Sequence, residues 1–329
     1  MIQTSKPLTS LRSFMGKRRN VGKSSHVRLA PDPVNPKSDI QIQKLVPLVI
    51  VMISAWFCGC IGQTIQPSPQ TSPAGDPPQL TWSDWGLILS RSVVQDQVDY
   101  KKILADQAPI ERLFAMLARV GPTCTPDLVP DRNSRLAYYI NAYNAAVVRS
   151  VILVSRDGRV PRDAPLDLEY RYRFVIDRRS RTPAELRQMA MNLAGDDWRV
   201  ALALCDGRRG SPPLHPRPMI GDLLDGQLDF VTRMALYAPH VIQVNHGAEK
   251  RLLVWRGLYR MKDRMIADYE RRMGTTHATL LNVLGEWANR KRREELNTAV
   301  GYKVAEMPYD NLINQAELPS RESAGLLGF

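Results

Sequence analysis

The sequence of 329 residues predicts an α+β fold: a single mixed domain with several helices and a small sheet that includes a β-hairpin. In several segments apolar residues recur at the three- and four-residue steps of a helix face, with shorter runs of strand length between them. The segments "HVIQVN" and "RLLVW", separated by "HGAEK", predict one hairpin. Because the strands are mixed with helices and include one clear hairpin, the pattern favours an α+β domain over a regular βαβ array.

The chain begins with a basic head, residues 1–44, which carries nine Lys or Arg and two acids, or +7 of the total net charge of +12. The remaining +5 is spread over 285 residues, so the charge gives little reason to expect a nucleic-acid partner.

An apolar run, "LVPLVIVMISAWFCGC" at residues 45–60, follows the head. A basic flank before such a run is typical of a secretory signal, or of a short membrane span that continues to residue 62. Excess positive charge keeps its side of a membrane in the cytoplasm. We therefore expect a membrane-anchored protein whose globular domain is extracytoplasmic, in the periplasm or at the cell surface.

The end of the apolar run, "FCGC", resembles the bacterial lipobox, in which a Cys after a small residue is lipidated. Gly59 before Cys60 fits this pattern, whereas Phe57 and Cys58 depart from the Leu and small residue that the lipobox prefers. Lipidation at Cys60, a plain transmembrane anchor and a cleaved signal all stay open. In the first two cases the N-terminal segment makes the membrane a partner of the protein.

Residues 63–79, "QTIQPSPQTSPAGDPPQ", contain five prolines and no apolar periodicity. This composition predicts a semi-extended tether without a core of its own. The globular domain should then span residues 80–318, followed by a tail at 319–329. Of the four cysteines only Cys124 and Cys205 fall in the globular domain, as a disulfide pair or as two free buried thiols.

Along the globular domain, "TWSDWGLILSRSVV" and residues 108–119 have helical spacing. Tyr172, Phe174 and Ile176 alternate with charged residues, which predicts a half-exposed strand. Thr182 with Pro183 and Glu185 forms a helix-start pattern, and this helix should end near Ala194, before "GDD". The apolar run "VALAL" at residues 200–204 has strand length, and two more helices are expected near residues 258–273 and 277–290.

The segment "YYINAYNAAVV" at residues 138–148 places two asparagines on a helix with buried spacing. Asn144 falls inside the apolar stripe and Asn141 at its edge. A buried amide without partners costs about 1–3 kcal/mol, so both side chains should be hydrogen-bonded. We expect them mainly to hold the Cys205 loop or the tail segment Tyr309–Asn314 against the helix; direct contact with a ligand is the alternative.

Cys205 is the candidate catalytic residue, with His215, His240 or His246 as its base. Its alternative role is packing or disulfide formation. Arg208 and Arg209 follow it in the loop "CDGRRGSPPLHP" and would favour a thiolate or bind an anionic group of a ligand. Together with the two asparagines, the candidate binding residues of this loop and the tail are Arg208, Arg209, Ser211, Tyr309 and Asp310.

Three signatures of cofactor chemistry are missing from the sequence: GxxxxGK[ST], the Rossmann glycine pattern and HExxH. His240 and His246 are six residues apart, with no third ligand in register. We therefore expect neither a cofactor nor a metal site.

The segments "LAYYINAYNA", "ALALCDGRRGSPPL" and "MPYDNLIN", preceded by "QVDYKKIL", together resemble the domain-of-unknown-function family numbered 547. That family shows a helix similar to A-F-W-I-N-A-Y-N, an apolar strand leading to a Cys- and Ser-Pro-containing loop, and a terminal Y-D-W-S-L-N. The resemblance runs from about Trp82 to Asn314.

The chain departs from the family pattern at three places. No His precedes Cys205 between Arg199 and Leu204, and Ser211 stands where a second Cys is usual. In the terminal motif, Asn311 and Ile313 stand where Trp and Leu are common. If the family uses that His in catalysis, this member lacks it.

Two functions are compatible with these patterns. The first is a thiol-dependent hydrolase or transferase, active or degenerate, that acts on an envelope substrate. The second is a non-catalytic binding or scaffold module with an unidentified envelope ligand. The geometry around Cys205 distinguishes them, because an enzyme needs an imidazole within hydrogen-bonding reach and an open cleft.

Overall fold

A computed structural model describes residues 62–67 and 78–317, which belong to one compact unit. The basic head, the apolar run with Cys60 and the tail at 319–329 lie outside the described residues. The ten α-helices of the described part are α1 Ser83–Ser92, α2 Tyr100–Ala105, α3 Ala108–Arg119, α4 Arg132–Val154, α5 Pro183–Ala194, α6 Arg199–Leu202, α7 Leu224–Tyr237, α8 Arg256–Met273, α9 Leu280–Trp287 and α10 Arg290–Asn297.

The predicted α+β class is confirmed. The strands of the described part are β1 Gln63–Ile65, β2 Val93–Val94, β3 Gln97–Val98, β4 Tyr172–Ile176, β5 Arg179–Arg181, β6 Ile242–Asn245, β7 Arg251–Val254 and β8 Lys303–Glu306. They form three small sheets, ordered β1-β4-β5, β2-β3 and β6-β7-β8. The predicted hairpin is the antiparallel pair β6–β7, with Ile242 opposite Val254.

Helix α4 is the centre of the domain. It begins at the N-cap Asp131, whose carboxylate accepts a hydrogen bond of 2.9 Å from the backbone N–H of Ser134. Every residue of α4 from Leu136 to Ile152 is buried, so the helix has no solvent-facing side over these turns. Polar side chains on this helix must therefore find partners within the protein.

The predicted start and end of α5 are confirmed. The Thr182 hydroxyl accepts a hydrogen bond from the backbone N–H of Glu185 at 3.2 Å. The Glu185 carboxylate accepts one from the backbone N–H of Thr182 at 2.8 Å, which completes a capping box. The helix ends at Ala194, and Gly195 follows with a positive φ of 59°.

The strand predicted at residues 200–204 is wrong, because Arg199–Leu202 forms the short helix α6. The carboxylate of Asp197 accepts a hydrogen bond from the backbone N–H of Arg199 at 3.1 Å, which favours a helical start. The Arg199 side chain is paired with Asp197, Asp225 and Asp229. A short apolar run fits a buried helix as well as a strand, and here these contacts with α7 favour the helix.

Residues 63–79 were predicted to form a semi-extended tether, but the first residues of this segment form a strand. Gln63–Ile65 forms strand β1, which pairs in parallel with Tyr172–Phe174 of β4. The backbone N–H of Gln63 donates to the carbonyl of Arg171 at 3.0 Å. None of the helices that the structure describes is both long and apolar enough to cross a bilayer.

A tight turn between β4 and β5 organises the neighbouring helix end. Asp177 and Arg178 have positive φ angles of 54° and 58°, as two-residue hairpin turns require. Their backbone N–H groups donate to the carbonyls of Leu117 and Ala118, the last turn of α3, at 2.8 and 3.1 Å. The Asp177 carboxylate also accepts from the backbone N–H of Cys124 at 2.8 Å. The turn thus caps α3 and fixes the loop that follows it.

Candidate functional site

The two asparagines of α4 hold the loop that follows α6. Asn141 donates to the carbonyl of Met219 and accepts from its N–H, both at 2.8 Å. Asn144 donates to the carbonyl of Ala203 at 2.9 Å and accepts from the N–H of Cys205 at 3.0 Å. Both side chains are buried, including Asn141, which the sequence placed at the edge of the stripe. Each amide donates one hydrogen bond to the protein's own backbone and accepts one from it, which agrees with the structural role expected from the sequence.

The tail pairs with the same loop from the other side. The backbone N–H groups of Arg209 and Gly210 donate to the carbonyls of Leu312 and Asp310 at 2.8 and 2.9 Å. The N–H of Asn314 donates to the carbonyl of Gly207 at 3.0 Å. A Cβ at Gly210 would lie 2.7 Å from the backbone nitrogen of Asp310, so this approach requires glycine. The three predicted segments therefore meet at one place, which we call the junction: α4, residues 203–219 and residues 309–316.

Cys205 lies inside the junction with only 3% of its surface exposed. Its Sγ is 3.3 Å from the hydroxyl of Ser211 and 3.5 Å from the side-chain nitrogen of Asn314. Burial raises the pKa of this thiol to about 11, although the hydrogen bonds from Ser211 and Asn314 act in the opposite direction. Cys124 is also a free thiol, so the two cysteines do not form a disulfide.

None of the three candidate bases is hydrogen-bonded to Cys205. Nδ1 of His215 lies 2.6 Å from the carbonyl of Arg217, and Nδ1 of His246 lies 3.0 Å from the Tyr302 hydroxyl. His240 lies 3.8 Å from the Asp96 carboxylate. Burial lowers the pKa of both His215 and His240. The hydrogen-bond partners of the thiol in the described part of the chain are thus the Ser211 hydroxyl, the Asn314 amide and the backbone N–H of Gly207, none of which is a base.

The polar centre of the junction is Asp206, which the sequence interpretation did not select. This buried carboxylate accepts hydrogen bonds from the Tyr309 hydroxyl and, at 3.2 Å, from the backbone N–H of Arg208. Arg256 lies 3.4 Å from it, with its guanidinium 3.7 Å above the Tyr309 ring. Burial, then the Asp206 charge, raises the pKa of Tyr309, so the phenol stays a hydrogen-bond donor.

Tyr100 and Asn314 complete the junction and were also missed. The fully buried Tyr100 hydroxyl donates to the side-chain oxygen of Asn314 at 2.7 Å. Burial also raises the pKa of Tyr100 well above its usual value. The available signal was the position of both residues inside quoted motifs, "QVDYKKIL" and "MPYDNLIN".

The remaining predicted binding residues have partners within the protein. The buried guanidinium of Arg208 donates to the carbonyl of Pro165 at 2.8 Å and lies 3.6 Å from the Asp206 carboxylate. Arg209 is paired with Glu317 at the surface. Asp310 is exposed, and its carboxylate accepts from the backbone N–H of Leu312 at 2.9 Å. Both cations of the loop are thus paired with a carboxylate of the protein, although Nε of Arg209 is buried without a hydrogen-bond partner.

A separate groove lies between α1, α2 and the start of α3, with a volume of about 520 Å³. Leu87, Ile88, Ile103 and Pro109 line it together with Arg91 and Lys102. Each cation has a nearby carboxylate, Asp106 at 3.8 Å from Arg91 and Asp99 at 3.6 Å from Lys102. The groove is large enough for an apolar group of a ligand.

Over residues 62–67 and 78–317, no cluster of three or more His, Cys, Asp or Glu side chains could hold a metal ion. Comparison of the chain with protein-family models, curated proteins and solved structures finds no significant match. The chemistry of the junction is therefore inferred from its own geometry, and the resemblance to the family numbered 547 stays a prediction.

Proposed function

We propose that this protein is a membrane-anchored, extracytoplasmic domain that works by binding rather than by thiol catalysis. The enclosure of Cys205 carries this proposal. Burial raises the pKa of this thiol to about 11, so it stays protonated at pH 7. A cysteine nucleophile needs the thiolate, an open approach for the substrate and a base within reach. Cys205 is buried, and its side-chain hydrogen-bond partners are Ser211 and Asn314 rather than an imidazole.

The meeting of the three motifs at one junction supports the resemblance to the family numbered 547. If that family uses the His in catalysis, the departures from its pattern support a chain without that activity. Ser211, at the position of the second Cys, is buried and hydrogen-bonded to Cys205 and to the backbone of Asp206. Val200, in the segment that lacks the expected His, is fully buried in α6. Ser211 and Val200 thus both have structural roles in this chain.

Native-state alkylation tests the proposal. The full-length protein in mild detergent is treated with iodoacetamide at pH 7.5, and each cysteine peptide is followed by mass spectrometry. We expect Cys205 to react at least about 100-fold more slowly than the less buried Cys124, and to react rapidly once urea is added. Reaction of Cys205 at the rate of Cys124 or faster, without urea, would overturn the proposal, because it would show an accessible and ionisable thiol.

The anchor has its own test. The basic head and the apolar run predict that the protein sediments with membranes and that its domain is reached by protease from the outer side. Incorporation of labelled palmitate that is abolished by Cys60→Ser would identify the lipid anchor. Membrane sedimentation without any label would identify the transmembrane form, and a released domain would contradict the anchor.

A further inference from the structure

The described chain enters the domain at β1, immediately after the predicted anchor. Gly62 is two residues beyond Cys60 in the sequence, and Gln63 is already hydrogen-bonded to Arg171. A Cβ at Gly62 would lie 2.6 Å from the carbonyl oxygen of Tyr170. The backbone of Gly62 and Gln63 is thus packed closely against residues 170–171.

An exposed apolar turn lies at this point of entry. Leu166 is 88% exposed, the highest value for a large apolar residue in the described part of the chain, and Tyr170 is 59% exposed. The turn that carries them is held firmly, because Leu168 between them is fully buried. The N–H groups of Leu168 and Tyr170 also donate to the carbonyls of Pro165 and Asp167 at 3.1 and 2.8 Å. We call Leu166, Tyr170 and Arg171 the entry surface.

We propose that the entry surface lies in the headgroup region of the lipid bilayer, so that the domain sits directly on the membrane. This inference rests on the anchor of the proposed function. An extended chain spans at most about 3.6 Å per residue, so residues 60 and 62 are within about 7 Å of each other. The headgroup region on each side of a bilayer is roughly 5–8 Å thick. A lipid on Cys60 and a span ending near residue 62 therefore both bring lipid to the entry surface.

The chemistry of the entry surface fits this partner. Tyr is enriched at membrane interfaces, where its ring lies among the headgroups and its hydroxyl meets water. A leucine side chain gains free energy when it leaves water for the acyl region, and the stem of an arginine can follow it. Arg171 is paired with Asp167 at 3.0 Å, and both are exposed. Because this pair is neutral, the surface should insert through its apolar groups without requiring anionic lipids.

The proline-rich segment takes a different role in this arrangement. It follows β1 and leads to α1, so it connects two elements of the domain and does not separate the domain from the membrane. The distance between membrane and domain is therefore set by the hydrogen bonds between β1 and β4.

Photocrosslinking of the full-length protein in phosphatidylcholine liposomes tests the proposal. A benzophenone amino acid replaces Leu166 or Tyr170, and in two matched controls it replaces Leu223 or Val300, which are 61% and 71% exposed. We expect lipid adducts at positions 166 and 170 to exceed those of the controls by about tenfold, with little change when phosphatidylglycerol is added.

The possible outcomes distinguish failure of the entry-surface proposal from failure of the anchor proposal. Equal adduct yields at all four positions, in protein that stays with the liposomes, would overturn the entry surface and leave the anchor intact. Protein that does not stay with the liposomes would overturn the anchor and the surface together.

Discussion

At the scale of single residues, Asn141 and Asn144 act as two extra peptide groups placed on a helix. A carboxamide offers one carbonyl oxygen and one NH₂ group, which match the N–H and C=O of a backbone segment. Residues 203–205 and Met219 lie in irregular backbone whose polar groups would otherwise be buried without partners. The side chains of α4 therefore supply hydrogen-bond partners that the backbone of this loop does not find within the loop itself.

Replacing either asparagine by leucine keeps the volume but leaves one backbone donor and one acceptor unpaired. We expect Asn141→Leu and Asn144→Leu each to lower the free energy of unfolding by about 2–5 kcal/mol. Urea denaturation followed by circular dichroism measures this loss. The matched control is Asn192→Leu on the exposed face of α5, which should change stability by less than about 0.5 kcal/mol. Equal effects at all three positions would contradict the bidentate role.

The raised pKa of the Cys205 thiol predicts the direction in which the free energy of unfolding changes with pH. Its pKa is raised from 9.0 to about 11 in the folded protein, so the unfolded chain loses this proton first as pH rises. The folded state is therefore destabilised between about pH 9 and 11, by roughly 2–3 kcal/mol in total. We expect the stability difference between the parent protein and Cys205→Ser to be constant below pH 8.5 and to shift against the parent protein above pH 9. Urea titrations at pH 8, 9 and 10 under reducing conditions measure it, and a constant difference would show that the thiol is solvated.

At the scale of elements, the sequence predicted the helices and strands that are specified by residues close together in the chain. The cap of α5 rests on Thr182 and Glu185, three residues apart, and the β6–β7 hairpin on two short runs with a turn between them. The strand predicted at residues 200–204 was wrong. A short apolar run has no periodicity that distinguishes a strand from a helix, and the side-chain partners of Arg199 lie 26 and 30 residues away in sequence. The junction was located from its motifs, whereas its centre, Asp206, is defined by Arg256 and Tyr309, which no local pattern joins to it.

The β4–β5 turn gives a prediction at this scale. Asp177→Ala removes the acceptor for the N–H groups of Thr123 and Cys124 and puts alanine at a positive φ of 54°. We expect a loss of about 2–4 kcal/mol in the free energy of unfolding, measured by urea denaturation. Asp177→Asn keeps an acceptor and tolerates this φ, so it should lose about 1 kcal/mol. If both variants lose the same amount, the side-chain bonds to the α3 loop contribute little.

At the scale of the whole molecule, segments near both ends of the described chain are bound to its interior. β1 pairs with β4, more than 100 residues later in the chain. At the other end, the N–H of Val98 donates to the carbonyl of Asn314 at 2.8 Å, and the N–H of Ala316 donates to the carbonyl of Val98 at 2.9 Å. Such pairings between distant segments follow from the complete fold, and for that reason the sequence interpretation assigned residues 63–79 to a tether.

Truncation tests the contribution of β1. A chain that starts at Ile61 keeps the strand, whereas one that starts at Pro67 leaves the edge of β4 without its partner. We expect the shorter chain to be less stable by about 2–4 kcal/mol, from the lost backbone hydrogen bonds, and to self-associate through the open edge. Differential scanning calorimetry and size-exclusion chromatography compare the two. Identical melting temperatures and elution volumes would show that β1 does not stabilise the domain.

The pairing of the tail with residues 207–210 also sets the order of events during biosynthesis. The loop from Ala203 to Gly210 obtains part of its hydrogen bonds from residues 310–314, so it stays incomplete until the ribosome has added them. Before that moment Cys205 lacks its contact with Asn314, and Asp206 lacks its hydrogen bond from Tyr309. A junction that closes this late suits the proposed extracytoplasmic location, because a chain that has not completed its fold can still be threaded through a translocation pore.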